Sequence, residues 1–215
     1  MGFGALSEEF SYIPRDVPGK PPTAPRNVDA STNRLKLFIE YDTVKEDGGA
    51  PITDYNIYID DGLDGQFTGP IKNGASLRAW DSTGLTLVTG RYYRLKYSST
   101  NIHGESELSD EVSILLADEP SKPQNIARID MESVTAGDIR IKWSLPADEG
   151  GDPVLGYLLY LDGSLVLDAS TQSTLNEYTY TGLSVGRTYR LSVTAVNDIG
   201  ESPAAYLDLI AASVP

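Results

Sequence analysis

The chain of 215 residues carries 17 Lys and Arg against 31 Asp and Glu, a formal net charge of −14. A surface this acidic repels phosphate backbones and anionic lipid headgroups, which argues against nucleic-acid binding. The chain has no cysteine, which excludes disulfides, thiolate zinc sites and cysteine nucleophiles. No apolar run reaches the about 20 residues that span a bilayer, so we expect no membrane insertion of this segment.

An internal repeat is the dominant feature of the chain. The segment Asp47–Tyr58 recurs as Glu149–Tyr160, 102 residues later, and Gly90–Leu95 recurs as Gly186–Leu191, 96 residues later. The first copy therefore holds six additional residues. Because loops tolerate insertions and core strands do not, we place most of them in the acidic turn at 60–65.

A third, partial copy precedes these two. The segment Leu6–Ser11 resembles Leu108–Ser113, again 102 residues later. We therefore interpret residues 1–20 as the last strand and linker of a preceding repeat, followed by complete domains at 21–119 and 120–215. Such an orphan strand is expected to pair with an open sheet edge of a neighbouring molecule or to fold back onto the first domain.

Short apolar runs that alternate with polar residues predict an all-β fold of half-buried strands separated by turns. The predicted core positions are Leu35, Leu37, Ile39 and Tyr41; Tyr55, Ile57 and Ile59; Leu95, Tyr97 and Ser99; Ile139, Ile141 and Trp143; Tyr157, Leu159 and Leu161; and Leu191, Val193 and Ala195. Asp-Gly and Asn-Gly pairs between the runs supply turn residues that tolerate positive φ. No segment has the pattern of an amphipathic helix.

The order of residues in the second copy resembles a fibronectin type III domain from end to end. The residues that carry the resemblance are Pro123, Trp143, Pro146, Gly150, Gly151, Pro153, Gly156, Tyr157, Tyr160, Leu183, Gly186, Tyr189, Ala195, Asn197, Gly200 and Ser202. The resemblance implies two tandem immunoglobulin-like antiparallel β-sandwiches. It also implies that Trp143 is buried and that the hydroxyl of Tyr189 bonds to the backbone of the preceding turn.

The first copy departs from this pattern at three positions. Tyr41 stands where the second copy has tryptophan, Val44 stands at the proline, and Ser99 stands at the small core alanine. Tyr93 is the tyrosine-corner residue that the resemblance implies here. We expect Tyr41 to be buried like its counterpart, and Trp80, on the predicted fifth strand, to fill the space that the smaller ring leaves.

The residues that carry chemistry form no recognisable catalytic set, and we predict no catalytic, cofactor-binding or metal-binding residue. His103 is the only histidine, and one imidazole in a turn makes neither a catalytic triad nor a metal triad. Asp60, Asp61 and Asp64 supply the oxygen ligands that calcium prefers, but their spacing fits no EF-hand loop. We interpret them as hairpin-turn residues, with calcium as the alternative.

These observations favour a non-catalytic spacer, adhesion or scaffold segment of a larger multi-repeat protein. Its partners would be other proteins, and we expect a monomer at the cell surface or outside the cell. The short proline-containing linker at 117–123 should limit the freedom of successive domains and extend the reach of the array. Two alternatives stay open: accessory modules of a secreted carbohydrate-active or other hydrolytic enzyme, and an intracellular filament-associated array, because Asp47–Tyr55 also resembles repeats of giant muscle proteins.

Overall fold

A computed structural model describes residues 15–129 and 136–211. The described residues form fifteen β-strands and no helix. They divide into two compact units, of which the first contains strands β1–β8 and the second β9–β15. The orphan strand predicted within residues 1–20, at 6–13, lies outside the described residues. The predicted domain limits, 1–20, 21–119 and 120–215, stay predictions.

The first unit is built from two antiparallel sheets. One has the order β1–β2–β5, and the other has the order β4–β3–β6, with β7 and β8 both pairing with β6. The strands are β1 (Arg26–Asn27), β2 (Phe38–Glu40), β3 (Asp54–Ile59), β4 (Thr68–Lys72), β5 (Ala79–Asp81), β6 (Tyr92–Asn101), β7 (Gly104–Glu105) and β8 (Val112–Leu115).

The second unit repeats this arrangement with sheets in the orders β13–β10–β9 and β12–β11–β14–β15. All its strand pairs are antiparallel. The strands are β9 (Gln124–Arg128), β10 (Ile139–Ser144), β11 (Gly156–Leu161), β12 (Ser164–Ala169), β13 (Glu177–Tyr180), β14 (Thr188–Val196) and β15 (Ala205–Ile210). The all-β prediction of two tandem antiparallel β-sandwiches is confirmed.

The core of the second sandwich includes the predicted tryptophan. Trp143 is buried and meets Tyr157 edge to face, with ring centroids 5.4 Å apart. The other buried members of the core are Ile139, Ile141, Val154, Leu159, Tyr180, Tyr189, Leu191, Val193, Ala195 and Ala211. The predicted period-two faces of β10, β11 and β14 therefore point inward, as alternation requires.

In the core of the first sandwich, a cluster of tyrosines lies where the second sandwich has its tryptophan. The ring of Tyr41 lies 5.3 Å from that of Tyr55 and 4.9 Å from that of Tyr97. A buried tyrosine needs a hydrogen-bond partner, and the Tyr41 hydroxyl accepts one from Asn73 Nδ2 at 2.6 Å. Trp80 is also buried, on β5 as predicted.

The prediction for Leu35 is wrong, because its side chain is 81% exposed. The alternating run begins at Leu35, but β2 begins at Phe38. Leu35 lies in a turn, where its backbone N–H donates to Asn33 Oδ1 at 2.9 Å. Because Leu35 belongs to the turn that precedes β2, its side chain does not lie on the inward face of the strand.

The additional residues of the first copy lie in the predicted turn. Residues 60–67 connect β3 to β4, whereas only Asp162 and Gly163 connect β11 to β12. Both residues of the short turn have positive φ, 50° and 84°, as expected of a two-residue hairpin turn. The register places Ile59 opposite Thr68 and Leu161 opposite Ser164.

The tyrosine corner of the second sandwich is present. The buried Tyr189 accepts a hydrogen bond through its hydroxyl oxygen from the backbone N–H of Ser184 at 2.9 Å. Tyr93 is buried at the equivalent place in the first sandwich, and its corner bond stays a prediction.

We expect Tyr189→Phe to lower the free energy of unfolding by about 0.5–1.5 kcal/mol, because it leaves a backbone N–H without its acceptor. Urea unfolding of the variant measures this loss. Tyr206→Phe, at an exposed tyrosine of β15, is the control and should change stability by less than about 0.5 kcal/mol. Equal stability of Tyr189→Phe and the parent chain would remove the structural role of the corner.

Candidate functional site: a clamp on the segment that leads into each sandwich

The segment that leads into the first sandwich is held by backbone hydrogen bonds to the β2–β3 loop. We call residues 15–20 the first lead-in and residues 117–122 the second lead-in. In the first lead-in, the N–H of Asp16 donates to the carbonyl of Gly48, and the N–H of Gly19 donates to that of Glu46, both at 2.9 Å. The lead-in therefore lies along the loop, held by two backbone hydrogen bonds.

The second lead-in makes the same bonds to the β10–β11 loop. The N–H of Asp118 donates to the carbonyl of Gly150 at 2.9 Å, and the N–H of Ser121 donates to that of Asp148 at 2.8 Å. Each of these residues stands 102 positions after its counterpart. The repeat in sequence is thus a repeat of hydrogen bonding.

A buried asparagine joins the first lead-in to two loops. Asn101 is only 4% exposed, and its Nδ2 donates to the carbonyls of Asp16 and Asp47, both at 2.7 Å. Its Oδ1 accepts from the N–H groups of His103 at 2.8 Å and Gly104 at 3.2 Å. The side chain therefore closes the β6–β7 turn with one end and holds the lead-in with the other.

Asn197 performs the same task in the second sandwich. It is 3% exposed, and its Nδ2 donates to the carbonyl of Asp118 at 2.9 Å and that of Glu149 at 3.1 Å. Its Oδ1 accepts from the N–H groups of Ile199 and Gly200, both at 3.0 Å. We call the asparagine, the glycine of the loop and the bonded lead-in carbonyl the clamp.

A glycine in each loop allows the loop backbone to approach the lead-in closely. Gly48 and Gly150 have φ of 72° and 83°, a region that costs other residues energy. A Cβ atom on Gly48 would stand 2.1 Å from the carbonyl oxygen of Asp16, and one on Gly150 would stand 2.2 Å from that of Asp118. Any side chain at either glycine would therefore displace the lead-in.

Prolines lie within each lead-in and directly after it. Pro18 and Pro21 at the first sandwich, and Pro120 and Pro123 at the second, are all buried. A proline ring fixes φ near −65°, so the chain loses less entropy when the lead-in is ordered.

The sequence contains the clamp residues, but no local pattern predicted that they hold the lead-ins. Asn101 and Asn197 recur in the repeat, as do Gly48 and Gly150, and this recurrence was the available signal. The partner of Asn197 in the lead-in lies 79 positions away, a separation that no local pattern reports. His103, exposed in the same turn, contributes only its backbone N–H to the clamp.

The carboxylates of the acidic turn accept hydrogen bonds from groups of the first sandwich. The carboxylate of Asp60 is buried and accepts from Arg94, through Nε at 2.7 Å and through the backbone N–H at 3.0 Å. The carboxylate of Asp61 accepts from the N–H groups of Leu63 and Gly65. No group of three acidic or imidazole side chains able to hold a metal occurs among residues 15–129 and 136–211.

We expect millimolar calcium to leave the melting temperature of the chain unchanged within about 1 °C, because Arg94 already neutralises the buried carboxylate of Asp60. Thermal unfolding with calcium and with magnesium measures this. A rise with calcium alone that Asp60→Asn and Asp64→Asn both abolish would establish a calcium site and contradict the assignment as a hairpin turn.

Comparison with known proteins identifies the second sandwich. Residues 121–206 match the family model described as fibronectin type III domain. Residues 121–206 form a fibronectin type III domain. The first sandwich has the same strand order and the same fold, so we refer to the two sandwiches as the first and second domains.

Relatives of the chain include large proteins of several kinds. Fibronectin type-III domain-containing protein 3A is 28% identical over 198 residues in Mus musculus and 26% identical over 198 residues in Homo sapiens. Each alignment covers 91% of this chain and 16% of the relative. Myomesin-2 of Homo sapiens is 32% identical over 126 residues, 53% of this chain and 8% of that protein. The chain thus spans about a sixth or less of these relatives.

Among solved structures, the chicken CNTN1 FN1–FN3 domains are similar in fold. The TM-score is 0.52 at 14% sequence identity, and the match covers 93% of this chain and 69% of that one. In the described part of the chain, no helix has the length and apolarity needed to cross a membrane.

A tyrosine and a glutamate are paired on the outer sheet face of each domain. The hydroxyl of Tyr58 donates to Glu105 Oε1 at 2.6 Å, and that of Tyr160 donates to Glu201 Oε1 at 2.7 Å. Burial and this hydrogen bond raise the pKa of each tyrosine to about 12. Both hydroxyls therefore stay protonated near neutral pH. The pair joins β3 to β7 in the first domain, and it joins β11 to the segment after β14 in the second.

Proposed function

We propose that the chain is a non-catalytic spacer and protein-interaction segment of a larger multi-repeat protein. The observation that carries this proposal is the clamp, which holds the lead-in of both domains with equivalent hydrogen bonds. A spacer needs connections of limited freedom, because a flexible linker spreads the positions of the domains that it joins. The clamp removes that freedom from the part of each linker next to the domain that follows.

Several features support a role without catalysis. The chain has a single histidine, which lies exposed in a turn. The buried Asp60 is neutralised by Arg94, and the buried Asn101 and Asn197 are fully bonded to backbone groups. We therefore expect no turnover of ester, peptide or glycoside substrates, and no binding of DNA or heparin at physiological salt, given the net charge of −14.

The proposed partners are other proteins, and the chain itself is proposed to be a monomer. The proposed location is the cell surface or the extracellular space. Two relatives are compatible with more than one location. One is named proto-oncogene tyrosine-protein kinase ROS, of Mus musculus, and is 40% identical over 78 residues. The other is Myomesin-2. A signal peptide encoded in the complete gene would support the extracellular proposal. Its absence would favour the filament-associated alternative.

Backbone relaxation of nitrogen-15-labelled protein tests the spacer role. We expect the amides of Asp118 and Ser121 to have order parameters of about 0.85, as in rigid backbone. The first lead-in should behave alike at Asp16 and Gly19. Values below about 0.6 in both lead-ins would describe flexible linkers, and the proposed spacer function would then fail.

A further inference from the structure

The loop between β4 and β5 of the first domain, residues 73–78, begins with an asparagine that is followed by glycine. Asn73-Gly74 is the only Asn-Gly pair in the chain. The backbone nitrogen of the next residue attacks an asparagine side chain most readily where that residue is glycine, since no Cβ atom hinders the approach. This pair is therefore the place in the sequence where conversion of asparagine to aspartate is chemically easiest.

The side-chain amide of Asn73 is bonded to the core and to the neighbouring strand. Its Nδ2 donates to the hydroxyl of Tyr41 at 2.6 Å and to the carbonyl of Ala79, the first residue of β5, at 2.7 Å. An amide nitrogen has two hydrogens to donate, so both are used. The backbone N–H of Asn73 donates to the carbonyl of Tyr55 at 2.8 Å. These bonds hold the asparagine in one orientation.

The glycine is favoured at this place by its backbone conformation. Gly74 has a φ of 72°, in the left-handed region that glycine adopts without the penalty that a Cβ atom brings. A Cβ atom at Gly74 would meet no atom within 4 Å, so crowding does not require glycine here. The residue that shapes the loop is thus also the residue that makes the neighbouring amide reactive.

Conversion of Asn73 needs no enzyme and no co-reactant other than water. The backbone nitrogen of Gly74 loses its proton to solvent and forms a bond to Cγ of Asn73. The bond between Cγ and Nδ2 then breaks, and Nδ2 takes up a proton from solvent and leaves as ammonia. Water opens the resulting five-membered imide at either of its carbonyl groups, which gives aspartate or isoaspartate.

The folded loop opposes this reaction. Nδ2 is the leaving group, and it is also the atom that donates to Tyr41 and Ala79, so the reaction breaks both hydrogen bonds. Both acceptors are anchored, because Tyr41 is buried in the tyrosine cluster and Ala79 precedes the buried Trp80 on β5. The asparagine therefore has to leave its partners by local opening of the loop before it reacts.

We propose that Asn73 is a site of spontaneous deamidation that is protected while the loop between β4 and β5 is closed and reacts when the loop opens. The product has no donor for the carbonyl of Ala79 and places a carboxylate against that oxygen. The hydroxyl of Tyr41 turns to donate to the carboxylate, but a carbonyl only accepts. The loop of a converted chain closes less well, and the modification thus records that the first domain has opened.

Peptide mapping of the full chain by mass spectrometry, after incubation at mildly alkaline pH, measures the conversion. We expect Asn73 to react at least about tenfold more slowly in the native chain than in the chain unfolded in urea, because the native loop has to open first. Gly74→Ala should slow the reaction in urea, since its methyl group hinders the attacking nitrogen. Asn176 is exposed and followed by glutamate, and it should react slowly in both states.

Tyr41→Phe tests the protection itself, because it removes one acceptor of Nδ2 and keeps the ring. At Asn73 the native variant should react about threefold to tenfold faster than the parent chain, as expected for the loss of one hydrogen bond, and the rates in urea should be equal. Tyr97→Phe is the matched control. It removes a hydroxyl of the same cluster that donates to the carbonyl of Asp42 at 3.2 Å, and it should leave the native rate at Asn73 unchanged.

Asn73→Asp carries one product of the reaction from the start. Its urea midpoint should be lower than that of the parent chain, whereas Asn176→Asp should leave the midpoint unchanged. Equal rates at Asn73 in the native and the unfolded parent chain would overturn the proposal. So would equal native rates at Asn73 in Tyr41→Phe and Tyr97→Phe, or a midpoint of Asn73→Asp that equals that of the parent chain.

Discussion

Trp143→Ala should lower the free energy of unfolding of the second domain by about 3–5 kcal/mol, the usual cost of deleting a buried tryptophan. The indole belongs to the buried core and meets Tyr157 edge to face, so its removal should leave a cavity. Its Nε1 is buried without a hydrogen-bond partner among the described residues. The contribution of Trp143 therefore comes from packing.

Trp143→Phe separates packing from hydrogen bonding. It keeps an aromatic ring and removes an unpaired N–H, so we expect less than half of the loss that Ala causes. Urea unfolding followed through the amide signals of Leu159 and Leu191 reports the second domain. Leu165→Ala, at an exposed position of β12, is the control and should stay within about 0.5 kcal/mol. A loss below about 1 kcal/mol for Trp143→Ala would contradict the assignment of this residue to the core.

Asn197→Ala should destabilise the second domain by about 2–3 kcal/mol, because it leaves buried backbone groups of the lead-in and of two loops without partners. The carbonyls of Asp118 and Glu149 lose their donor, and the N–H groups of Ile199 and Gly200 lose their acceptor. Unfolding by urea measures the loss of stability.

Asn197→Asp is the sharper variant because it changes only one end of the side chain. The acceptor that closes the turn is kept, but the donor is replaced by a charged oxygen that faces the carbonyls of Asp118 and Glu149. We therefore expect the order parameter of Ser121 to fall below about 0.6, while the turn at 198–200 stays ordered. Asn176→Asp, at an exposed asparagine, makes the same chemical change and should have neither effect. An ordered second lead-in in Asn197→Asp would show that the clamp does not fix it.

The strands and the core could be predicted from the sequence because side-chain alternation is a local property. Each strand buries every second residue whatever its partner is, so Ile139, Ile141 and Trp143 could be assigned to one face without knowledge of the sheet. The repeat added a second copy of the same pattern, and it placed the longer turn at 60–65. The error at Leu35 has the same origin, since alternation does not mark the residue at which a strand begins.

The clamp was decided by the tertiary structure. Asn197 holds a lead-in carbonyl 79 positions away and a loop carbonyl 48 positions away, and these separations become contacts only when the strands between them fold. Arg94 and Arg190 are equivalent in the repeat, yet their guanidinium groups have different partners. That of Arg94 donates to Asp60 and to the carbonyl of Gly65 in the eight-residue β3–β4 connection. That of Arg190 stacks on Tyr206, because only two residues connect β11 to β12. The sequence by itself determined which residues face inward. The partners of the polar residues were determined by three-dimensional proximity, since a hydrogen bond depends on distance and direction between atoms and not on the order of residues in the chain.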